Sequence, residues 1–280
     1  MPELPEVETI VRRLKAQLLG ETIMGFEVRR EKSFQGDRRK LVGRRVTNVI
    51  RRAKMILIEL NQDNLLIHLK MTGQLILVNQ GKRLGGGHPS ADWTRDLPSS
   101  HTRIVVTFRS GKVLFFNDQR VFGWFKALDN QAVTQEFSKY APDIIDPKIT
   151  PEYLYTKMQK KSVAIKQVLL DSSIVAGVGN IYACDGLFLA GIDPRKPAKN
   201  LSLNQIGKIL TSVREVIHRG IKLGGATVNT YRRVDGLAGG YQDVMLVYGK
   251  EGQACPKCQG VIERFKQGGR STYWCKECQK

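Results

Sequence analysis

The sequence predicts an α+β protein with two lobes: an N-terminal β-sandwich carrying the first helix, and a helical C-terminal lobe ending in a zinc-ribbon finger. Short apolar runs typical of strands, such as KMILIEL at 54–60 and KVLFF at 112–116, continue to about residue 128. From about residue 132, apolar side chains recur at helical spacing, most clearly in LNQIGKILTSVREVIHRG at 203–220. Two CxxC pairs lie near the end of the chain. The resulting division is a β-sandwich domain (1–135), a proline-rich linker (136–150), a helical domain (151–244) and a zinc finger (245–280).

The first element is an amphipathic helix that begins within MPELPEVETI. Apolar residues recur at helical spacing from Val7 to Leu18, and Gly20 ends the run. Pro5 suits the first helical position, and the glutamates that follow it complement the positive end of the helix dipole. None of this helix chemistry requires Pro2 or Glu3.

The strand-like runs of the N-terminal half are interrupted by a long segment without periodicity. This segment, GKRLGGGHPSADWTRDLPSS at 81–100, is rich in Gly, Pro and Ser. We interpret it as a mobile surface loop and assign it no function.

Four of the five cysteines have the spacing of a zinc ribbon. Cys255 and Cys258 form one CxxC pair, Cys275 and Cys278 form the other, and sixteen residues separate the pairs. Four thiolates that converge on one Zn²⁺ leave no open position for catalysis, so we expect one structural zinc ion. Two disulfides are the alternative, but they fit poorly with an unpaired Cys184 and a start that lacks the features of an export signal.

The charge of the chain indicates a polyanionic partner. The 280 residues include 45 Lys and Arg against 26 Asp and Glu, which gives a net charge of +19. Nucleic acid is the first candidate for that partner. The sequence contains no apolar run that could span a bilayer and no basic amphipathic helix with an aromatic face, so we expect no membrane association and a cytoplasmic location.

Pro2 and Glu3 together offer a nucleophile and a proton carrier. A small second residue favours removal of Met1, which would leave the Pro2 amine as the new N-terminus. An α-amino group has a pKa of about 7.7 to 8, so much of it is nucleophilic at cellular pH. Attack of this secondary amine on the anomeric carbon of a sugar would give an iminium that promotes elimination of phosphate, with Glu3 as general acid and base. The alternative is that these residues only begin a chain and a helix, because Met-Pro starts are common.

Four separated motifs resemble the formamidopyrimidine-DNA glycosylases, bacterial repair enzymes for oxidised purines, across nearly the full chain. They are MPELPEVET at 1–9, FNDQRVFG at 116–123, GVGNIYACDGLFLAGIDP at 177–194, and CPKC with GGRSTYWCKEC at the C-terminus. The resemblance implies a bifunctional DNA glycosylase and AP lyase that acts on 8-oxoguanine, formamidopyrimidines and abasic sites by β,δ-elimination. It also implies a helix-two-turns-helix motif in the C-terminal lobe, a monomeric state, and a bacterial, nucleoid-associated protein.

The resemblance also assigns roles to single residues. It makes Pro2 the Schiff-base nucleophile, Glu3 the proton donor, Lys54 the proton donor for β-elimination and Arg270 the proton donor for δ-elimination. The residues that fill the space of the flipped base are Met71, Arg120 and Phe122, although Met71 and Phe122 taken singly would be read as core residues. The phosphate contacts fall on His101, Arg120, Lys161 and Asn180.

Two departures from the family pattern and two rival functions remain open. Val121 stands where the family often has a second basic residue. The segment 224–242, with Ala226 and Asn229, occupies the place of a loop that caps the lesion, so lesion preference stays open. The rivals are an endonuclease VIII-like glycosylase for oxidised pyrimidines and a non-catalytic zinc-ribbon DNA-binding protein.

Overall fold

The structure is a computed structural model that describes residues 1–88, 90–226 and 239–280. The chain divides into two compact units. The first, called the N-terminal unit here, is Met1–Ser138 with Leu223–Gly240. The second, called the C-terminal unit, is Lys139–Lys222 with Tyr241–Lys280. Asn229 lies outside the described residues.

The first helix, α1, spans Leu4–Leu18, as predicted. Its apolar stripe is buried and belongs to the core of the N-terminal unit. Pro5 occupies the second helical position rather than the first, because Leu4 already has helical geometry. Gly20 follows the helix with a φ of +83°, a conformation that glycine adopts without steric cost.

Ten strands of the N-terminal unit form two five-stranded sheets. The first sheet has the order β1-β8-β9-β6-β7 and the second the order β2-β10-β5-β4-β3. The strands are β1 (Ile23–Val28), β2 (Phe34–Gln35), β3 (Val46–Arg52), β4 (Met55–Leu60), β5 (Asn64–His68), β6 (Gly73–Asn79), β7 (Lys82–Gly87), β8 (Thr102–Phe108), β9 (Val113–Asp118) and β10 (Trp124–Leu128). The short helix α2 (Asn130–Ser138) follows them.

One apolar cluster joins the inner faces of both sheets and α1. Alternate residues of β4, β5, β6, β8 and β9 belong to this cluster, as the two-residue period of a strand requires. The rings of Phe116 on β9 and Phe125 on β10 meet across the sheets with their centroids 4.8 Å apart. The expected sandwich with an N-terminal helix is therefore present.

The segment 81–100 is more ordered than the sequence suggested. Its first part is β7, which pairs with β6 along its whole length, so the interpretation of the segment as an irregular loop is wrong there. Trp93 and Leu97 pack on the outer face of the first sheet, against Ile76, Val105 and Phe115. A second apolar cluster thus anchors the segment, which residue composition alone did not reveal.

The C-terminal unit is mainly helical, as predicted. Its helices are α3 (Pro151–Met158), α4 (Ile165–Leu169), α5 (Asn180–Ala190) and α6 (Leu203–Lys222). Helix α5 is buried on all sides from Ile181 to Phe188. A Cβ at Gly186 would lie 2.6 Å from Val213 Cγ2, so glycine is needed where α5 crosses α6. Within the described ranges, no helix is both long and apolar enough to cross a bilayer.

A β-hairpin of β11 (Glu263–Gln267) and β12 (Arg270–Trp274) completes the C-terminal unit. Gly268 and Gly269 both have positive φ, at +55° and +73°, which is the requirement of a two-residue type I′ turn. The segment before the hairpin is held by Asp185 of α5, whose carboxylate accepts hydrogen bonds from three backbone N–H groups at 246–248 and from the Tyr241 hydroxyl. Burial raises the pKa of Asp185, and these hydrogen bonds oppose the rise.

Candidate active site and nucleic-acid interface

Pro2 and Glu3 lie buried at the start of α1. Glu3 is the N-cap residue and forms a capping box with Glu6. The Glu3 side chain accepts the backbone N–H of Glu6, and the Glu3 backbone N–H donates to Glu6 Oε2 at 2.8 Å. The expectation that helix chemistry leaves Glu3 without a role is wrong, because Glu3 caps the helix as well as flanking Pro2.

Lys54 is tied to the same helix through a buried ion pair. It lies in the tight turn between β3 and β4, where Ala53 has a φ of +54°. Arg51 donates to the Ala53 carbonyl at 3.0 Å and to Glu8 Oε2 on α1 at 3.0 Å. Burial would raise the pKa of Glu8, but its hydrogen bonds with Arg12 and Arg51 outweigh this and lower it. This network fixes the turn that carries Lys54 to the helix that Glu3 caps.

His68, at the end of β5, is a buried titratable residue near Lys54 that sequence reasoning did not single out. Its ring is buried, and Nδ1 accepts the backbone N–H of Lys70 at 3.0 Å. Burial, followed by the positive charges of Lys70 and Lys54, lowers the pKa of His68 to about 3. The ring is therefore neutral with its proton on Nε2. The sequence feature that could have indicated a buried histidine here is its position inside the apolar run LLIHLKM.

The residues expected to enter the DNA stack are held by the buried carboxylate of Asp118. Asp118 Oδ2 accepts the Gly123 N–H at 2.7 Å, and Oδ1 accepts the Arg120 N–H at 3.2 Å and the Thr72 hydroxyl. The Asp118 backbone N–H donates to the His101 carbonyl at 2.9 Å. One residue thus joins the loop after Met71, the loop 119–123 and the start of β8.

Met71 and Phe122 project into solvent instead of packing in the core. Their exposed fractions are 44% and 49%, which removes the reading of either residue as a core side chain. The Arg120 guanidinium lies over the Phe122 ring, 4.8 Å from its centroid. Val121, between them, has a φ of +56°, a strained conformation for a β-branched residue.

His101 is partly exposed and bonded to a carboxylate. Its Nδ1 lies 3.0 Å from Oδ2 of Asp92, a residue of the segment 81–100 to which the sequence assigned no role. The side chain of His101 is 30% exposed, whereas that of Asp92 is 3% exposed.

In the C-terminal unit, Asn180 bonds the backbone of the residue that follows Arg270. Arg270 is exposed and is the first residue after the hairpin turn. Asn180 Nδ2 donates to the carbonyl of the next residue, Ser271, at 2.9 Å. Buried Lys166 donates to the same carbonyl at 3.1 Å and to the Thr272 hydroxyl at 2.8 Å. These donors hold the strand that presents Arg270.

Lys161 and Lys166 differ in how they are placed. Lys161 is exposed in the turn after α3 and is held through its backbone, whose N–H donates to the Met158 carbonyl at 2.8 Å. Lys166 is a further residue that sequence reasoning missed. Its signal was a lysine on the apolar face of VAIKQVLL, where a buried charge needs partners.

The four ribbon cysteines form a structural zinc site. Their Sγ atoms all lie within 4.8 Å of one another, with Cys255 and Cys278 3.8 Å apart and Cys258 and Cys275 3.5 Å apart. A tetrahedral Zn²⁺ with Zn–S bonds of about 2.3 Å places its sulfurs about 3.8 Å apart. The cluster fits one zinc ion, and its four thiolates fill the coordination shell.

Comparison with known proteins gives the same architecture for the whole chain. Residues 1–125 match the formamidopyrimidine-DNA glycosylase N-terminal domain, 140–232 the H2TH domain of that glycosylase, and 252–280 a zinc finger found in FPG and IleRS. Formamidopyrimidine-DNA glycosylases from Exiguobacterium sp. and Aliivibrio fischeri are 36% and 35% identical to the chain, with 100% of the chain and at least 98% of each relative covered.

Solved structures of similar proteins include complexes with damaged DNA. A Lactococcus lactis FPG mutant bound to Fapy-dG-containing DNA has a TM-score of 0.88 and 30% identity, with both chains fully covered. The L. lactis Fpg complex with abasic-site DNA has a TM-score of 0.87 and 29% identity over the same full lengths.

The fold and the site define a zinc-finger DNA glycosylase. The chain belongs to the formamidopyrimidine-DNA glycosylase family, a family of glycosylase/AP lyases.

Proposed function

We propose that the protein removes oxidised purines, such as 8-oxoguanine and formamidopyrimidines, from duplex DNA through the amine of Pro2 and then cuts the strand. The observation that carries this proposal is the arrangement at the start of α1. Pro2 is followed by the buried N-cap carboxyl of Glu3, and the Arg51 network ties the Lys54 turn to the same helix. A nucleophile, a proton carrier and an ammonium group thus belong to one rigid assembly.

The excision step forms one bond and breaks one. With Met1 removed, the Pro2 nitrogen attacks C1′ of the damaged nucleotide, and the C1′–N glycosidic bond breaks. The departing base takes up a proton, which Glu3 supplies. The C1′–O4′ bond of the sugar ring then breaks, the proton of the proline nitrogen passes to O4′, and an iminium between Pro2 and C1′ remains. Because the proline nitrogen is secondary, this iminium has no N–H to lose and keeps its charge.

Two eliminations follow from the charged adduct. Loss of a proton from C2′ expels the 3′ phosphate, and loss of a proton from C4′ expels the 5′ phosphate after the electrons are relayed along the conjugated chain. We assign Lys54 to proton donation in the first elimination and Arg270 in the second. The exposed guanidinium at the hairpin turn suits the second role, because it offers a fork of N–H donors to a phosphate.

The remaining site residues hold the distorted DNA. The target base must leave the stack before its C1′ can be reached. We assign Met71, Arg120 and Phe122 to the space that it vacates, since exposed apolar side chains can enter a base step and arginine can bond the unpaired base. His101, Arg120, Lys161 and Asn180 are assigned to phosphate contacts. We further propose that the protein acts as a monomer in the bacterial cytoplasm, associated with the nucleoid.

Product analysis tests this function. We expect the protein to excise 8-oxoguanine opposite cytosine faster than thymine glycol and to leave phosphate at both ends of the gap. Arg270→Ala should retain excision but accumulate the β-elimination product, whereas the control Arg264→Ala, on the other strand of the hairpin, should give the wild-type product. Faster excision of thymine glycol would favour the oxidised-pyrimidine alternative, and binding without any cleavage would favour the non-catalytic one.

A further inference from the structure

We propose that Asp92 is a positioning residue that orients His101 for a DNA phosphate. The proposal rests on the proposed function, because it takes the phosphate contact of His101 as given. It assigns a role to the segment 81–100, which neither the sequence motifs nor the excision chemistry uses.

The bond between the two side chains has a defined direction. An ionised carboxylate can only accept hydrogen bonds, so the short contact between His101 Nδ1 and Asp92 Oδ2, 3.0 Å long, requires a proton on Nδ1. The second carboxylate oxygen, Oδ1, lies 3.3 Å from the same nitrogen. Asp92 therefore fixes the ring orientation and leaves the opposite nitrogen, Nε2, for another partner.

A saturated hydrogen-bond chain holds Asp92 itself. The Ser90 hydroxyl donates to Asp92 Oδ2 at 3.1 Å. It accepts the Asp92 backbone N–H at 3.2 Å and Gln74 Nε2 at 2.8 Å. One donor and two acceptors are the full capacity of a hydroxyl group, so Ser90 has no bond left to exchange. Gln74 is buried in β6, and the chain thus runs from the sheet through Ser90 and Asp92 to His101.

Apolar packing fixes the backbone beside Asp92, and hydrogen bonds fix the backbone of His101. Trp93, next to Asp92, packs on the outer face of the first sheet. On the other side, the His101 backbone N–H donates to Ser99 Oγ at 3.1 Å, and its carbonyl accepts from Asp118 at 2.9 Å. Because Asp118 also bonds the backbone of Arg120, it fixes the position of His101 relative to the loop assigned to the DNA stack.

The arrangement suits a phosphate rather than a neutral group. With Nδ1–H committed to Asp92, the ring can donate to a phosphate only when Nε2 is also protonated. An imidazolium between a carboxylate and a phosphate makes two charge-assisted hydrogen bonds, which are stronger than neutral ones. The buried carboxylate thus supplies one half of the charge balance, and the DNA supplies the other.

Binding to an uncleavable duplex with a tetrahydrofuran abasic analogue tests the proposal. We expect Asp92→Asn to weaken binding about tenfold, the loss of roughly one charge-assisted hydrogen bond, and to reduce the slope of log K against log salt by about 0.9. His101→Gln should have the same effect, and the double variant should lose no more than either single one.

Asp96→Asn is the matched control. It removes the same charge from an exposed residue of the same segment, and its affinity should equal or slightly exceed that of the wild type. Removing a carboxylate makes the protein more positive, which by itself would strengthen DNA binding. The weaker binding expected for Asp92→Asn therefore cannot come from the change in net charge. Asp92→Asn binding as tightly as Asp96→Asn, with His101→Gln impaired, would overturn the proposal.

A spectroscopic measurement on the wild type does not depend on how the variants fold. The chain has four histidines, so ¹⁵N-histidine labelling with His101→Gln for assignment resolves the ring. We expect a protonated Nδ1 in the free protein and protons on both nitrogens in the complex. An unprotonated Nδ1 in the free protein would end the proposal. Unchanged DNA affinity in His101→Gln would also end it, whereas the proposed function would stand if excision persisted.

Discussion

At the scale of single residues, Glu3 has an observed structural role and a proposed catalytic role, which two different substitutions can separate. Its carboxyl caps α1 through the N–H of Glu6, and we propose that it also carries the proton next to Pro2. Loss of a helix cap costs about 1 kcal/mol of stability, and loss of a general acid costs roughly 10²- to 10⁴-fold in rate. The two effects differ in what they require, because capping needs only an acceptor oxygen and catalysis needs a transferable proton.

Glu3→Gln and Glu3→Ala are therefore expected to differ in stability but not in activity. Both should lose roughly 100-fold or more of base excision. Only Glu3→Ala should lower the free energy of unfolding, by about 1 kcal/mol, because the amide oxygen of glutamine still accepts the Glu6 N–H. Single-turnover excision and thermal unfolding measure the two effects. Wild-type excision by Glu3→Gln would remove Glu3 from the mechanism.

Val121 has a strained backbone conformation in the loop that we assign to the DNA stack. A valine at a φ of +56° costs of order 1 kcal/mol or more, whereas asparagine tolerates this conformation. Val121→Asn should therefore raise the free energy of unfolding by about 1 kcal/mol and the melting temperature by about 2 to 4 °C. Val42→Asn is the control, since Val42 is exposed and has an ordinary φ of −71°. Equal effects of the two substitutions would mean that Val121 stores no strain.

At the scale of elements, the zinc site holds together the two ends of the β11–β12 hairpin. The two CxxC turns flank this hairpin, and its turn presents Arg270. Removal of the metal should release the hairpin, weaken DNA binding and reduce δ-elimination more than base excision.

Metal analysis and DNA binding after chelation check this prediction. We expect one zinc ion per chain in the wild type, and much less in Cys275→Ser. Cys184→Ser should keep its zinc, because Cys184 packs against the cluster but is not one of its four members. Full DNA affinity in the zinc-free protein would show that the ribbon is not needed to hold the binding surface.

Sequence patterns predicted the elements with strong periodicity and missed those defined by tertiary contact. Helix α1, the apolar strand runs and the four zinc-ribbon cysteines follow from periodicity and spacing. Strand β7 did not, because LGGG has low strand propensity and is strand only through pairing with β6. The glycines fit that place closely: a Cβ at Gly85 would lie 2.0 Å from the Leu75 carbonyl oxygen.

At the scale of the whole molecule, motif resemblance located the candidate residues but not the groups that hold them. Arg270 is in a motif that can be read from the sequence, and the family resemblance assigns Lys54 and His101 by their positions. Their supports, among them Glu8 with Arg51, Asp92 with Ser90, and Lys166, come from distant parts of the chain or from segments without a motif. Buried polar partners are chosen by three-dimensional contact, and a single sequence does not encode that contact as a local pattern.

The net charge of +19 sets how the whole molecule meets DNA. Each phosphate contact releases counterions, so six to ten contacts would cost roughly 10³ to 10⁵ in affinity between 50 and 200 mM salt. A glycosylase and a non-catalytic DNA-binding protein would show the same salt dependence of affinity. Only the formation of a covalent intermediate with DNA distinguishes the two functions.

Borohydride trapping tests the central claim, that the Pro2 amine forms the covalent intermediate. One preparation carrying a cleavable N-terminal extension would be assayed before and after the extension is removed to leave Pro2 as the first residue, on a duplex with 8-oxoguanine opposite cytosine. We expect a trapped protein–DNA adduct only after removal, with the mass increase on the N-terminal peptide. Equal trapping before removal, or an adduct on a lysine-containing peptide elsewhere, would contradict the account.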